Sequence, residues 1–163
     1  MPRARRRQLK WWERWLERVA ATTPGGWFFV NVANPLDRFL LRRTRGRFSV
    51  ALGQPVLLIT VKGARSGKPR QTPLLYLADG DNLVVVASKA GSATHPAWYH
   101  NVKANPTVDI LARGRSGRYV GHEAEGEERA RLWEEVNDLY AGYDVYQQRA
   151  GTRRIPVMVF TPV

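Results

Sequence analysis

Four stretches of the chain crowd side chains or small residues that can hold a ligand. Lys62-Gly63-Ala64-Arg65-Ser66-Gly67-Lys68-Pro69-Arg70 sets four cations and a hydroxyl around two glycines. Such a turn can offer backbone N–H groups and charged side chains to an anion, and it equally suits a solvated hairpin tip. It is not a P-loop, because the GxxxxGK[ST] spacing is missing and no helix follows. Ala87-Ser88-Lys89-Ala90-Gly91-Ser92 follows an apolar run and is rich in small residues. Its N–H groups, Ser88 and Lys89 can face a phosphate, although an ordinary strand-to-helix loop has the same composition. His95-Pro96-Ala97-Trp98-Tyr99-His100-Asn101 holds two imidazoles that do not share a helical face, and no carboxylate lies near them in sequence, which argues against a metal site. The Trp98–Tyr99 pair suits either the floor under a planar ligand or plain core packing. Tyr140, Tyr143 and Tyr146 recur at steps of three, on one side of a helical or 3₁₀ turn. Three phenols so close suit a pocket wall, apolar in bulk and polar at its tips, or a core.

Other chemistries lack their residues. There is no Gly-x-Ser-x-Gly elbow, no HExxH and no GxGxxG, so hydrolase and Rossmann readings have no support. The absence of cysteine from all 163 residues excludes disulfides, thiolate metal sites and a cysteine nucleophile.

The elements that must position these stretches can be read from periodicity. Val56 to Val61 is a short β-branched apolar run, so a buried strand is expected. Ala64 to Lys68 makes a hairpin turn, and Thr72 to Ala78 makes the return strand. Asp79-Gly80-Asp81 turns the chain into a third strand, Leu83 to Ala87. A helix is expected over His95 to Ala104, stopped by Asn105-Pro106. Thr107 to Ala112 and Arg118 to Ala124 give two more strands, Glu127 to Tyr140 a helix with acids at its start, and Ile155 to Phe160 a last strand. Upstream, Asn34-Pro35 opens a short helix to about Arg45, with Leu36, Phe39 and Leu40 on its apolar face. About six short strands with hairpin connections and flanking helices predict a mainly β fold, a small antiparallel barrel.

The formal charge of +12 is uneven. Residues 1–47 hold 12 Lys/Arg against Glu13, Glu17 and Asp37, while residues 48–163 hold 14 basic and 11 acidic residues. Within the first part, Leu9, Trp12, Leu16, Val19 and Ala20 recur at helical spacing, with Arg7, Lys10, Arg14 and Arg18 largely elsewhere on the wheel. This basic, Trp-rich amphipathic pattern suits an anionic membrane surface, or a helix packed on its own domain. Residues 1–33 are read as an arm and residues 34–163 as the domain. Nucleic-acid binding has no motif behind it. No apolar run spans a membrane and no secretory signal is visible, so a cytoplasmic protein, peripheral at the inner face of the membrane through residues 1–20, is expected.

Three motifs in order resemble the deazaflavin-dependent nitroreductase and quinone reductase family. They are Leu57 to Leu74 (LLITVKGARSGKPRQTPL), Val85 to Gly91 (VVASKAG) and His95 to Pro106 (HPAWYHNVKANP), with Tyr140, Tyr143 and Tyr146 spaced like the tyrosines of the family's C-terminal segment. The resemblance covers about residues 34–163. It implies a split, flavin-reductase-like β-barrel that binds coenzyme F420, an 8-hydroxy-5-deazaflavin, and passes its hydride to a quinone, nitro compound or activated alkene. It also implies the site. Lys62, Arg65, Ser66, Lys68 and Arg70 would hold the phosphate and oligoglutamate tail, and Thr72, Pro73 and Leu74 would line the ring. Ala87, Ser88, Lys89, Ala90 and Gly91 would lie near the ring and phosphodiester, and Trp98, Tyr99 and Asn101 would close the pocket. Ser88 and Tyr140 would act as catalytic donors to the acceptor, with Tyr143 and Tyr146 as substrate-binding residues. Ala64 and Ala90 depart from the family pattern, which more often has Arg and Gly there. Split barrels often pair, so a homodimer is a further expectation. The alternatives are an FMN-binding split-barrel oxidoreductase and a non-catalytic cofactor carrier or membrane-surface module.

Overall fold

A computed structural model of the chain describes residues 34–44 and 54–163. The basic arm read at residues 1–33 lies outside the described residues. Among the described residues helix α1 (Asn34–Arg43) comes first and ends close to where the sequence predicts. Strands β1 (Val56–Lys62), β2 (Pro69–Leu75), β3 (Leu77–Asp79) and β4 (Asn82–Val86) follow, then α2 (Ala97–Ala104), β5 (Thr107–Leu111) and β6 (Gly117–Glu123). Helices α3 (Gly126–Leu139) and α4 (Gly142–Arg149) precede the last strand, β7 (Val157–Pro162).

The strands form one sheet in the order β2-β1-β5-β6-β7-β4-β3, every neighbour antiparallel. Strands β2 and β3 are its two opposite edges, yet Tyr76 alone separates them in the chain. The sheet must therefore curl until its edges meet, and it closes through the covalent chain rather than through a ladder: a split barrel. The about six strands expected become seven at this point. The run from Thr72 to Ala78, read as one strand, breaks at Tyr76, whose N–H turns back to the Pro55 carbonyl at 3.0 Å. Pro69 and Pro73 both fall in β2, an edge strand, where a missing N–H can face outward.

Period two explains the uninterrupted apolar runs. In β1, Leu57, Ile59 and Val61 point into the barrel, while Val56 and Leu58 pack against Leu41 of α1. In β4 and β7, Leu83, Val85, Met158 and Phe160 face the interior. Val84, Val86, Val157 and Val159 share a second cluster with Leu132 and Val136 of α3 and Tyr143 and Tyr146 of α4. Strands covered on both faces lose the alternation that marks a half-exposed strand such as β6. Gly121 of β6 is required by close approach, since a Cβ there would lie 2.7 Å from the Phe160 ring. Helix α2 caps the barrel mouth with Trp98 and Val102 buried in the interior cluster. Among the described residues no helix is long and apolar enough to cross a membrane.

Candidate functional site

The β1–β2 turn, the start of β2, the segment 89–95, α2 and one side of α1 enclose an open cleft of about 1340 Å³. Arg38, Arg42, Arg65, Arg70 and Lys89 line it together with His95 and His100, and no Asp or Glu does so among the described residues. Ser66, Gln71, Thr72, Thr94 and Asn101 add hydrogen-bonding groups, and Trp98 supplies a buried aromatic wall. The volume exceeds what a drug-sized ligand needs, and the charge selects a polyanion.

The basic turn is held from two sides. Within it, the Gly63 N–H donates to Lys68 O at 2.9 Å and the Gly67 N–H to Gly63 O at 2.8 Å. Gly67 takes φ +65°, as the hairpin requires, and a Cβ on Gly63 would meet Ser66 Oγ at 2.6 Å. From α2, Asn101 Oδ1 accepts the Ala64 N–H at 3.0 Å, and Asn105, just past its end, donates from Nδ2 to Lys62 O at 3.2 Å. The backbone is thus fixed while the Arg65 and Arg70 side chains extend into the cleft.

The second motif folds into a turn of unusual backbone. Lys89, Ala90 and Gly91 all take left-handed φ angles, 49°, 52° and 79°. For the two non-glycine residues this costs about 1–2 kcal/mol each. The position where the family more often has glycine therefore does need a positive φ, and Ala90 bears the strain. Packing fixes the turn from below, since a Cβ on Gly91 would approach Tyr146 O and Arg149 Cβ at 2.7 Å. Lys89 Nζ donates to Thr94 Oγ1 at 2.8 Å.

Of the residues singled out in the sequence, the cleft gathers Arg65, Ser66, Arg70, Thr72, Lys89, Trp98 and Asn101. Lys62 and Lys68 sit exposed on the same turn without lining the cleft. Pro73 and Ala87 are buried, and Leu74 packs against the barrel interior. Ser88 is half-buried beside Ala90, which packs toward the α3–α4 cluster. Tyr99 turns aside: its hydroxyl donates to Glu123 Oε2 at 2.8 Å, beside the Lys103–Glu123 pair at 3.2 Å. Burial and that carboxylate push the Tyr99 phenol up to about 12. Tyr140, Tyr143 and Tyr146 gather in one buried cluster, with the Tyr140 and Tyr146 hydroxyls 3.1 Å apart. Burial raises Tyr143 above the ordinary phenol value. The cluster lies against β4 and β7, and α4 packs on the Lys89–Gly91 turn.

The sequence does not mark Arg38 and Arg42, because the spacing of their helix shows only its apolar face. Nor does it mark His95 and His100, whose pattern speaks only to metal ligation, or Arg153. Arg153 donates from Nε to Ser92 O at 2.7 Å, from Nη2 to Ser88 O at 2.7 Å and from Nη1 to Ala87 O at 3.2 Å. No motif marks it, because its partners are main-chain carbonyls some sixty positions away.

Comparison with known proteins gives a consistent picture. Residues 37–162 match the model of a family described as F420H(2)-dependent quinone reductase. The chain is 39% identical over 127 residues to an F420H(2)-dependent quinone reductase of Mycobacterium tuberculosis, covering 75% of this chain and 85% of that one. Among solved structures, an F420-H2 dependent reductase is 40% identical with a TM-score of 0.60, over 65% of this chain and 93% of that one. A second, described as a domain-swapped dimer, is 35% identical with a TM-score of 0.64, over 85% of this chain and 99% of that one.

Proposed function

The chain belongs to the F420H(2)-dependent quinone reductase family, and from that premise we propose how its cleft serves the reaction. The protein is an oxidoreductase and its cofactor is F420. The cleft residues suit that group. A planar deazaflavin with a phosphate and an oligoglutamate tail asks for a flat apolar wall, several cations and no nearby carboxylate, and Trp98 with the five Lys/Arg side chains answers each demand. This acid-free ring of cations is the observation that carries the reading. FMN has one terminal phosphate and would leave most of those cations unmatched.

When bound, the deazaflavin supplies a hydride, which we assign as the species transferred. The chain's own residues bind, orient and stabilise charge. Lys62, Arg65, Lys68 and Arg70 take the phosphate and tail, and Arg38 and Arg42 continue that track along α1. Thr72, Trp98 and Asn101 shape the ring side with Ser66 at the tail end, Pro73, Leu74 and Tyr99 support that side without lining it, and Ala87, Ser88, Lys89, Ala90 and Gly91 stand opposite. On the acceptor side, the Ser88 hydroxyl and Tyr140 phenol donate hydrogen bonds to the oxygen that gains charge, and Tyr143 and Tyr146 form the wall. The acceptor is a quinone; nitro compounds and activated alkenes are extensions of the same chemistry. Residues 1–20 bring the protein to an anionic membrane surface, and two copies pair, as a relative described as a domain-swapped dimer suggests.

Fluorescence titration with F420 and FMN tests the cofactor. Tight FMN binding without F420 binding would sink the reading. Anaerobic oxidation of reduced F420 with menadione, then with a nitroimidazole, tests the reaction. Binding without turnover across a quinone panel would leave a cofactor carrier instead.

A further inference from the structure

Arg153 makes a fourth contact, and its chemistry is decisive. Its Nη1 lies 3.2 Å from His95 Nδ1. A guanidinium has five N–H donors and no acceptor. His95 Nδ1 must therefore accept, so it carries no proton, and the single proton of the neutral imidazole resides on Nε2. Among the described residues Nε2 has no protein partner, and the half-buried His95 ring borders the cleft.

We propose that Arg153 is a positioning residue that holds His95 as the neutral Nε2–H tautomer, giving the cleft a donor for an oxygen of its bound ligand. Identifying that ligand as F420 rests on the function proposed above; the tautomer does not. The same guanidinium gathers the carbonyls of Ala87, Ser88 and Ser92, so the left-handed turn and the imidazole share one anchor. Protonating Nδ1 would set N–H against N–H and loosen that anchor.

The surroundings of His95 agree. Tyr99 and His100 of α2 pack on its ring at centroid distances of 4.7 and 5.8 Å. Glu123 of β6 is bonded to the Tyr99 hydroxyl, and the Lys89 ammonium is tied to neighbouring Thr94. Burial first, then Arg153 and His100, push the imidazole below its ordinary value, with Glu123 opposing. His95 thus stays an uncharged donor beside the cations of the cleft.

The test is the ¹⁵N spectrum of the imidazoles in the full chain, without ligand, followed against pH. The expected result is an unprotonated Nδ1 and protonated Nε2 at pH 7, persisting at about pH 6.5, where an ordinary histidine is half charged. An Nδ1–H tautomer, or ordinary titration, overturns the proposal. Equilibrium binding of F420 gives the second readout. His95→Gln, which can keep a donor near the Nε2 position, should hold affinity within about threefold, whereas His95→Asn, which keeps only a partner for Arg153, should lose about tenfold, the worth of one hydrogen bond. Equal losses in the two variants would reduce Arg153 to a loop staple and refute the donor role. Arg153→Met should release both tautomers; if it does not fold, the wild-type spectrum and the His95 pair still decide. Failure of the wild type to bind F420 would count against the cofactor assignment and leave the tautomer result standing.

Discussion

Arg65 and Arg70 are exposed at the lip of the cleft, while the backbone beneath them is fixed by Asn101 and Asn105. In the proposed site they deliver charge at a set place, with little effect on stability. Arg65→Ala and Arg70→Ala should each weaken F420 about three- to tenfold, and the loss should grow with the number of glutamates in the tail. Titrations with short- and long-tailed cofactor measure this; equal losses on a tail-free cofactor would contradict tail binding. Ala90 makes the opposite kind of prediction. It holds φ 52° in a turn where glycine is unstrained. Relief of about 1–2 kcal/mol of left-handed strain outweighs the glycine's added unfolded-state entropy of about 0.5–1 kcal/mol, so Ala90→Gly should raise the melting temperature slightly. A lowered melting temperature would mean that the Ala90 methyl contributes more to the α3–α4 cluster than its strain costs. The residues of the basic turn were legible in the sequence because they are contiguous. Arg153 was not, because a donor that binds main-chain carbonyls from the far end of the chain leaves no local pattern.

At the scale of elements, the apolar runs of β1, β4 and β7 identified themselves, since each fills both faces of the sheet. The break between β2 and β3 did not, because Leu74, Leu75, Tyr76 and Leu77 read as one apolar segment. Only the need to close the barrel turns the chain at Tyr76. The tyrosine steps were legible as spacing, but they divide between a helix break at Tyr140 and the body of α4. The contact of α4 with the Lys89–Gly91 turn depends on Gly91. Its φ of +79° and the 2.7 Å approach to Tyr146 O leave a methyl no room. Gly91→Ala should cost about 2–4 kcal/mol and weaken cofactor binding as the turn shifts. Gly114, at φ +71° with nothing within 4 Å, is the control: alanine there should cost about 1 kcal/mol and leave binding alone. Chemical denaturation of both variants checks the contrast. Acid should act through the same turn. His95 is held below its unfolded value, so the unfolded chain takes up a proton first as pH falls. Stability should therefore begin to drop through about pH 6.5 and level off below the folded value, and His95→Gln should flatten that part of the profile.

For the whole molecule, the question is what the charge of +12 is for. The sequence suggested a basic arm on a nearly neutral body, but Arg38 and Arg42 line the same cleft as Arg65 and Arg70, and the proposed tail site draws on all four. Residues 1–33 then hold Arg3, Arg5, Arg6, Arg7, Lys10, Arg14 and Arg18 against Glu13 and Glu17, enough for a separate electrostatic role. The two sets should separate in experiment. Raising salt should weaken both F420 binding and sedimentation with anionic liposomes, because both proposals rest on the attraction of cations to an anionic partner. Removing residues 1–20 should abolish the liposome interaction yet leave F420 affinity within about twofold, since the cleft cations among the described residues lie beyond that segment. Arg38→Ala with Arg42→Ala should do the reverse, lowering cofactor affinity about tenfold and sparing the membrane. If the shortened chain still sediments equally with liposomes, the membrane role proposed for residues 1–20 is wrong.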